Sequence, residues 1–65
     1  MNEDNMVVGK RVELDDLNHP EGEICEEQQP FGIGTIPFPK RVKVRWDDPE
    51  LGISGWLTAS VLIEI

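Results

Sequence analysis

Residues 41–46 read Arg41-Val42-Lys43-Val44-Arg45-Trp46, and the acidic turn Asp47-Asp48-Pro49 follows them. Val42, Val44 and Trp46 alternate with the basic side chains, which is the two-residue period of a β-strand with one buried face. We therefore predict a strand over residues 41–47, with these three side chains turned toward the core. The remaining segments are predicted to pair with this strand or to loop around it.

Four further strands are predicted from short apolar runs bounded by Gly and Pro. They cover residues 6–14, 31–38, 53–57 and 61–65, and a single 3₁₀ turn is predicted over residues 58–60. In the first strand, Val8, Val12 and Leu14 share one parity and are predicted to face the core. The predicted fold class is therefore all-β, a small five-stranded barrel with no helix longer than one or two turns.

The last strand can be placed in two registers. One register buries Leu62 and Glu64, and the other buries Val61, Ile63 and Ile65. We predict the second register, because burying the carboxylate of Glu64 would cost free energy.

The connection from residue 15 to residue 31 is predicted to be a long irregular loop. Pro20, Gly22 and Pro30 interrupt it and no helical period runs through it, with a short strand over residues 22–25 as an alternative. A loop of this length is uncommon in a compact domain and is often functional. Residues 13–27 hold seven acids and no Lys or Arg, namely Glu13, Asp15, Asp16, Glu21, Glu23, Glu26 and Glu27.

The 65 residues are enough for one small domain, predicted over residues 6–65 after a flexible leader at residues 1–5. Thirteen acidic and six basic residues give a net charge of −7, which disfavours nucleic acid and anionic membranes and favours a basic partner. The single cysteine, Cys25, excludes an internal disulfide. The sequence shows neither a secretory signal nor an apolar run of about 20 residues, so a cytoplasmic protein is expected.

Three short motifs occur in the order Val8-Gly9-Lys10-Arg11-Val12, Gly32-Ile33-Gly34-Thr35-Ile36 and Val42-Lys43-Val44-Arg45-Trp46-Asp47-Asp48. In this order they resemble the small Tudor- and KOW-like barrels and the domain shared by the mind-bomb and HERC-type ubiquitin ligases. The segment Gly55-Trp56-Leu57-Thr58-Ala59-Ser60-Val61-Leu62 resembles the last part of eukaryotic SH3 domains. The resemblance covers residues 7–65 and implies an SH3-like barrel. Thr58 stands where SH3 ligand grooves have proline, and the chain has no Tyr, so the resemblance does not imply binding of PxxP peptides.

The chain offers few residues for catalysis or metal binding. His19 is the only histidine, and a nucleophile such as Cys25 would need a base beside it, so we predict that the protein is not an enzyme. The spacing of the acids around His19 and Cys25 matches neither an EF-hand nor a zinc knuckle. We therefore expect no metal and no other cofactor, and favour a solvated acidic segment over weak Ca²⁺ or Mg²⁺ binding.

The aromatic side chains are the candidates for a contact with a partner. Trp46 has the buried parity and is predicted to lie in the core, rather than in an aromatic cage of the kind that Tudor-like barrels use. Trp56 has the outward parity and is the best single anchor. The predicted partner-binding residues are Trp56, Phe31, Phe38, Glu21, Glu23, Glu26 and Glu27.

The leading hypothesis is a non-enzymatic protein-interaction module that binds a basic protein partner through its acidic loop and exposed aromatic side chains. One alternative is a nucleic-acid-mimicking inhibitor, of the phage type, that occupies a DNA- or RNA-binding enzyme. A second is a KOW-like contact with RNA or the ribosome through residues 40–45, although we expect Lys43 and Arg45 to pair with acids such as Glu13 or Glu64. A third is a structural subunit that is stable only as a homo-oligomer.

Overall fold

The computed structural model describes residues 1–28, 32–33, 36–37 and 39–65, with side chains described at residues 1–28 and 39–65. The strands are β1 (Arg11–Leu14), β2 (Glu21–Gln28), β3 (Gly32–Ile33), β4 (Ile36–Pro37), β5 (Arg41–Trp46), β6 (Leu57–Thr58) and β7 (Leu62–Glu64). Two 3₁₀ helices cover Glu3–Asn5 and Ala59–Val61, the second one residue later than predicted. Within the described residues there is no α-helix, and the all-β prediction is confirmed.

Five of the strands form one antiparallel sheet in the order β6-β5-β2-β1-β7, which curls into a half-barrel. β3 and β4 form a separate antiparallel pair. The inner face of the large sheet carries the core side chains Val12, Ile24, Val42, Val44 and Leu62, and Met6, directly after the 3₁₀ helix Glu3–Asn5, packs with them.

The alternation in residues 41–46 is confirmed. Val42 and Val44 are completely buried, whereas Arg45 is exposed and Lys43 is partly exposed on the outer face. Trp46 is half-buried and packs against the core cluster. The valines therefore supply the centre of the core, as the two-residue period requires.

The prediction of a long loop over residues 15–31 is wrong. Residues 21–28 form β2, which is the longest strand and lies in the middle of the sheet between β1 and β5. The inward positions before the bulge are Gly22 and Ile24, and Glu21 and Glu23 face the solvent. Because the first inward residue is a glycine, this segment has only one apolar residue on its buried face, and the sequence lacks the usual strand pattern.

A β-bulge further hides the period of β2. Ile24 pairs with Val44 and Glu26 pairs with Lys43, so Cys25 is the extra residue that the partner strand does not match. The bulge moves Glu26 to the outer face and places Glu27 opposite Val42. What remains of the predicted loop before β2 is the short connection of residues 15–20.

β1 is shorter than predicted, and Val8 does not face the core. Val8 is 56% exposed and lies in a turn with Gly9, whose φ of 96° is left-handed. Met6 is completely buried instead. The residues predicted as a flexible leader include the 3₁₀ helix Glu3–Asn5, and the Met1 amine donates to the backbone oxygens of Ala59 (3.4 Å) and Leu62 (3.2 Å).

The predicted parity of the last strand is wrong. Leu62, opposite Leu14, is only 2% exposed, whereas Ile63 is 37% and Ile65 57% exposed. The carboxylate of Glu64, which was expected to be buried in this register, lies at the edge of the sheet instead. There Glu64 lies 3.0 Å from Lys10 Nζ and accepts a hydrogen bond from the Asn5 amide, so this register buries no charge.

Two further predicted strands are broken up. The described positions of the strand over residues 31–38 form two short strands that pair with each other, Gly32 with Pro37 and Ile33 with Ile36. In the strand predicted over residues 53–57, Ile53 makes only an isolated bridge to Arg45. The Ser54 hydroxyl accepts the Val44 N–H (2.9 Å), so a side chain replaces a backbone partner and the ladder is interrupted there.

Candidate functional site

A cleft of about 680 Å³ opens at the end of the sheet where β1 ends, β2 begins and β5 ends. Its walls are the connection between β1 and β2 and the connection between β5 and β6. Four apolar side chains line it: Leu14, Pro20, Trp46 and Leu51. Five carboxylates line it as well: Glu13, Asp16, Glu21, Asp47 and Asp48.

The first wall is a tight turn held by its own backbone. The His19 N–H donates to the Asp16 carbonyl (3.0 Å), and the Leu14 N–H donates to the Pro20 carbonyl (2.9 Å). His19 has a φ of 42°, in the left-handed region that few non-glycine residues adopt. Its Nδ1 lies 3.0 Å from Glu13 Oε1, so the imidazole is held against one of the acids of the cleft.

The second wall is the turn that follows Trp46. The Asp48 side chain accepts the Glu50 N–H (2.9 Å), and the Trp46 N–H donates to the Gly52 carbonyl (3.0 Å). The Asp47 N–H donates to the Glu21 carbonyl at 2.9 Å, and this bond joins the second wall to the start of β2. The two acidic turns are therefore fixed relative to each other by the sheet.

Within the described residues, Arg11 is the one lysine or arginine that forms an ion pair with a carboxylate of the cleft. It forms a two-pronged ion pair with Asp47 across the middle strand, with Nη1 2.8 Å from Oδ1 and Nη2 against Oδ2. This hydrogen-bonded pair lowers the pKa of Asp47 and raises the pKa of Arg11, which Glu21 and Glu23 also raise through their charge. Glu21, Asp16 and Asp48 add negative charge that no lysine or arginine of the lining balances.

The predicted acidic site residues are divided among three places. Glu21 lines the cleft. Glu23 lies on the outer face of the sheet, directly opposite Arg11 in β1 and Arg45 in β5. Glu26 is 3.7 Å from Lys43 Nζ, and Glu27 is 3.0 Å from Lys40 Nζ and also accepts the Val8 N–H.

The predicted aromatic residues do not join the cleft in the part of the chain that the structure describes. Trp56 is half-buried beside β5, and Lys43 Nζ lies 4.9 Å from the centre of its ring. Phe31 and Phe38 lie outside the described residues. Trp46, which was predicted as core, contacts the core and also lines the cleft.

The basic run at residues 40–45 is largely paired within the molecule. Lys40 is 8% exposed and pairs with Glu27, Arg41 donates to the Gln28 amide oxygen (2.7 Å), and Lys43 pairs with Glu26. The expected pairing of Lys43 with an acid across the sheet occurs, but the predicted acids are wrong. Glu13 contacts His19, and Glu64 contacts Lys10.

Asp47 and Asp48 were missed as site residues, although both stand in the acidic turn that follows Trp46. A signal was present, because a turn of two acids directly after a strand carries charge to the end of a sheet. The sequence did not show that residues 13–21, around the β1–β2 connection, and the turn after β5 lie at the same end of the sheet.

Among the residues described, no group of three or more His, Cys, Asp or Glu side chains is placed so that it could hold a metal ion. In the same part of the chain, no helix has both the length and the apolar character needed to cross a membrane. Cys25 is a free thiol at the bulge, with Sγ 3.5 Å from the Lys43 carbonyl oxygen.

The fold and the site define a small all-β protein, a curled antiparallel half-barrel with an acidic cleft at one end of its sheet. No protein-family model matches this chain, and no curated protein or solved structure is detectably similar to it.

Proposed function

We propose that this protein is a non-enzymatic, SH3-like interaction module that binds a basic segment of a protein partner. The observation that carries the proposal is the cleft, which five carboxylates and Trp46 line together and in which no Lys or Arg is among the lining residues. A lysine or arginine side chain has the matching chemistry, because its apolar stem can lie on the indole while its charged end meets the acids.

The charge of the whole molecule supports the same partner. The chain carries a net charge of −7, and such a field raises the rate at which a basic partner approaches. The cleft then gives the approach a location, because the Asp47 N–H donates to the Glu21 carbonyl and joins its two walls. A cytoplasmic location is part of the proposal and rests on the single, unpaired cysteine.

The proposal is tested by calorimetric titration with a nine-residue peptide of alternating Arg and Gly, and with the same peptide in which Gln replaces Arg. We expect binding of the Arg peptide only, and weaker binding at higher salt because exposed charges are screened. The double variant Asp16→Asn/Asp48→Asn is expected to bind several-fold more weakly.

The matched control is Asp4→Asn/Glu50→Gln, which changes the net charge equally but outside the cleft lining. We expect this control to keep most of the affinity. Equal losses in the two double variants would mean that net charge alone attracts the peptide, and would reject the cleft as the binding site.

Mimicry of a nucleic acid is a second candidate, because clustered exposed carboxylates can compete for a basic enzyme surface. If this protein displaced DNA or RNA from such an enzyme but did not bind the Arg peptide, mimicry would be favoured. Contact with RNA through residues 40–45 has less support, since Lys40, Arg41 and Lys43 already have partners within the chain. A gel shift at low salt that is lost with Arg45→Gln would restore that alternative.

Self-association is also part of the proposal. β7 is an edge strand of the five-stranded sheet, and Val61, Ile63 and Ile65 leave apolar surface exposed beside it. An unpaired strand edge with apolar side chains can pair with a second copy. Light scattering that gives the mass of a monomer at every concentration used for the peptide titration would reject this part.

A further inference from the structure

Lys43, Trp56 and Glu26 form a small charged cluster on the outer face of the sheet. The Lys43 ammonium lies 4.9 Å from the centre of the Trp56 ring and 3.7 Å from Glu26 Oε2. The side chains of Lys43 and Glu26 are 33% and 56% exposed, so solvent reaches this cluster. An indole face and a carboxylate together hold a cation at the surface of the protein.

The backbone positions these three residues without help from the ammonium. Glu26 and Lys43 are direct partners in the ladder between β2 and β5, at the point where the Cys25 bulge has turned Glu26 to the outer face. Trp56 directly precedes β6, and the pairing of Leu57 with Val42 holds it beside β5. The strand pairing therefore fixes the backbone positions of Trp56 and Glu26 beside Lys43, whatever the lysine side chain does.

We propose that the face of Trp56 and the carboxylate of Glu26 form a site for an arginine side chain of the partner, and that Lys43 occupies this site in the free protein. This inference rests on the proposed function and names the side chain that a second contact would take. Arginine fits better than lysine, because a planar guanidinium stacks on an indole and can also present two N–H groups to one carboxylate.

Displacement of Lys43 is energetically accessible. Cation–π contacts and ion pairs at exposed positions are both weak, so the tethered ammonium leaves the site at little cost. Because the ammonium is tethered, however, it competes at a high effective concentration with any cation from outside. Lys43 thus lowers the affinity for an arginine that would otherwise bind the ring.

The test compares Lys43→Met, which keeps an apolar side chain but removes the charge, with Lys10→Met. Lys10 is a second partly exposed lysine paired with a glutamate, so both variants make the protein more negative by one charge. Calorimetry with the alternating Arg-Gly peptide is expected to show that Lys43→Met binds two- to five-fold tighter than Lys10→Met, or about 0.4–1 kcal/mol at 1.4 kcal/mol per factor of ten. In Lys43→Met/Trp56→Leu this gain is expected to vanish.

A second measurement does not depend on the folding of the double variant. In the NMR spectrum of Lys43→Met, the indole N–H resonance of Trp56 is expected to move on addition of the Arg peptide, and to move less when Lys replaces Arg in the peptide. Equal affinity of Lys43→Met and Lys10→Met, or peptide binding that leaves the Trp56 resonance unmoved, would overturn the inference and leave the cleft proposal standing. Failure of every variant to bind the peptide would overturn both.

Discussion

At the scale of single residues, Gly22 has the strictest steric requirement among the glycines whose surroundings the structure describes. It lies on the inner face of β2, between Val12 of β1 and Trp46 of β5. A Cβ atom at this position would lie 2.5 Å from the carbonyl oxygen of Arg45 and 2.6 Å from Val44 Cγ1. Neither a backbone oxygen nor a buried valine can yield at low cost, so the close approach of β2 and β5 depends on the missing side chain.

Gly22→Ala is therefore expected to lower the free energy of unfolding by about 1–3 kcal/mol, the usual cost of overpacking a core. Chemical denaturation monitored by tryptophan fluorescence measures this change. Gly55→Ala is the control, because a Cβ at Gly55 meets no atom within 4 Å. Equal stability of the two variants would show that the strands can separate without cost at Gly22.

Lys40 is the second residue whose role is visible only in three dimensions. It is 8% exposed, its ammonium lies 3.0 Å from Glu27, and its N–H donates to Glu3 Oε1. Lys40→Met keeps the apolar volume but takes the cation away from a half-buried carboxylate. We expect a loss of about 1–3 kcal/mol in the free energy of unfolding.

The control for Lys40→Met is Lys10→Met, which removes a lysine from the more exposed pair with Glu64. The free energy of unfolding lost in Lys10→Met is expected to be clearly smaller than in Lys40→Met, because water screens exposed ion pairs. A larger loss in Lys10→Met would contradict the view that burial makes the Lys40 pair important. Both variants are compared by urea denaturation at neutral pH.

At the scale of elements, β7 tests the parity that the structure assigns. Leu62 is 2% exposed and packs in the core, whereas Ile63 is 37% exposed on the other face. Leu62→Ala is expected to cost about 2–5 kcal/mol, as other buried leucines do, and Ile63→Ala much less. Because a domain of this size has only a few kcal/mol of stability, Leu62→Ala is expected to be largely unfolded at 37 °C by circular dichroism. The reverse order of the two variants would support the register that we first predicted.

The strand β2 shows why the sequence pattern predicted a loop where the structure has a strand. The rule that predicts strands looks for apolar residues at every second position, and β2 offers only Ile24 before the bulge at Cys25 shifts the period. Its glutamates are charged, which is typical of loops and hides the strand. They face the solvent on one side of a central strand, where charge costs little.

At the scale of the whole molecule, two surface carboxylates connect stability to pH. Hydrogen bonds from Arg11 lower the pKa of Asp47, and a hydrogen bond from Lys10 is the main cause of the lowered pKa of Glu64. A carboxylate whose pKa is lower in the folded than in the unfolded state stabilises the fold at pH values above its unfolded pKa. That stabilisation is lost as the pH falls through the folded pKa, below the ordinary carboxyl range of about 4.

Arg11→Gln is expected to be less stable than the wild type at pH 7, and the difference is expected to shrink toward pH 2 as Asp47 becomes protonated. Urea denaturation at a series of pH values measures both effects. Arg45→Gln serves as the control, because Arg45 makes no ion pair in the described part of the chain and its loss changes the net charge equally. Identical pH profiles of the two variants would assign the effect to net charge rather than to the Arg11–Asp47 pair.

The all-β class, the strand at residues 41–46 with its two buried valines, and the 3₁₀ turn before the last strand could be predicted from the sequence alone. These features follow from the period and the turn chemistry of neighbouring residues, so no distant contact is needed to predict them. Of the acids predicted to bind a partner, only Glu21 lines the cleft, and the sequence did not indicate that Asp47 and Asp48 lie there too.

Three features depend on contacts between distant residues: residues 21–28 form the central strand, Leu62 faces the core, and two acidic turns meet at one cleft. Gly22 fits in a strand because the backbone of Arg45 lies against it, where a Cβ atom would clash. Glu64 lies 3.0 Å from Lys10 at the edge of the sheet and is not buried in the core. The two walls of the cleft are joined by the hydrogen bond from the Asp47 N–H to the Glu21 carbonyl. Each of these facts is a contact between residues far apart in the chain, and such contacts leave no periodic trace in the sequence.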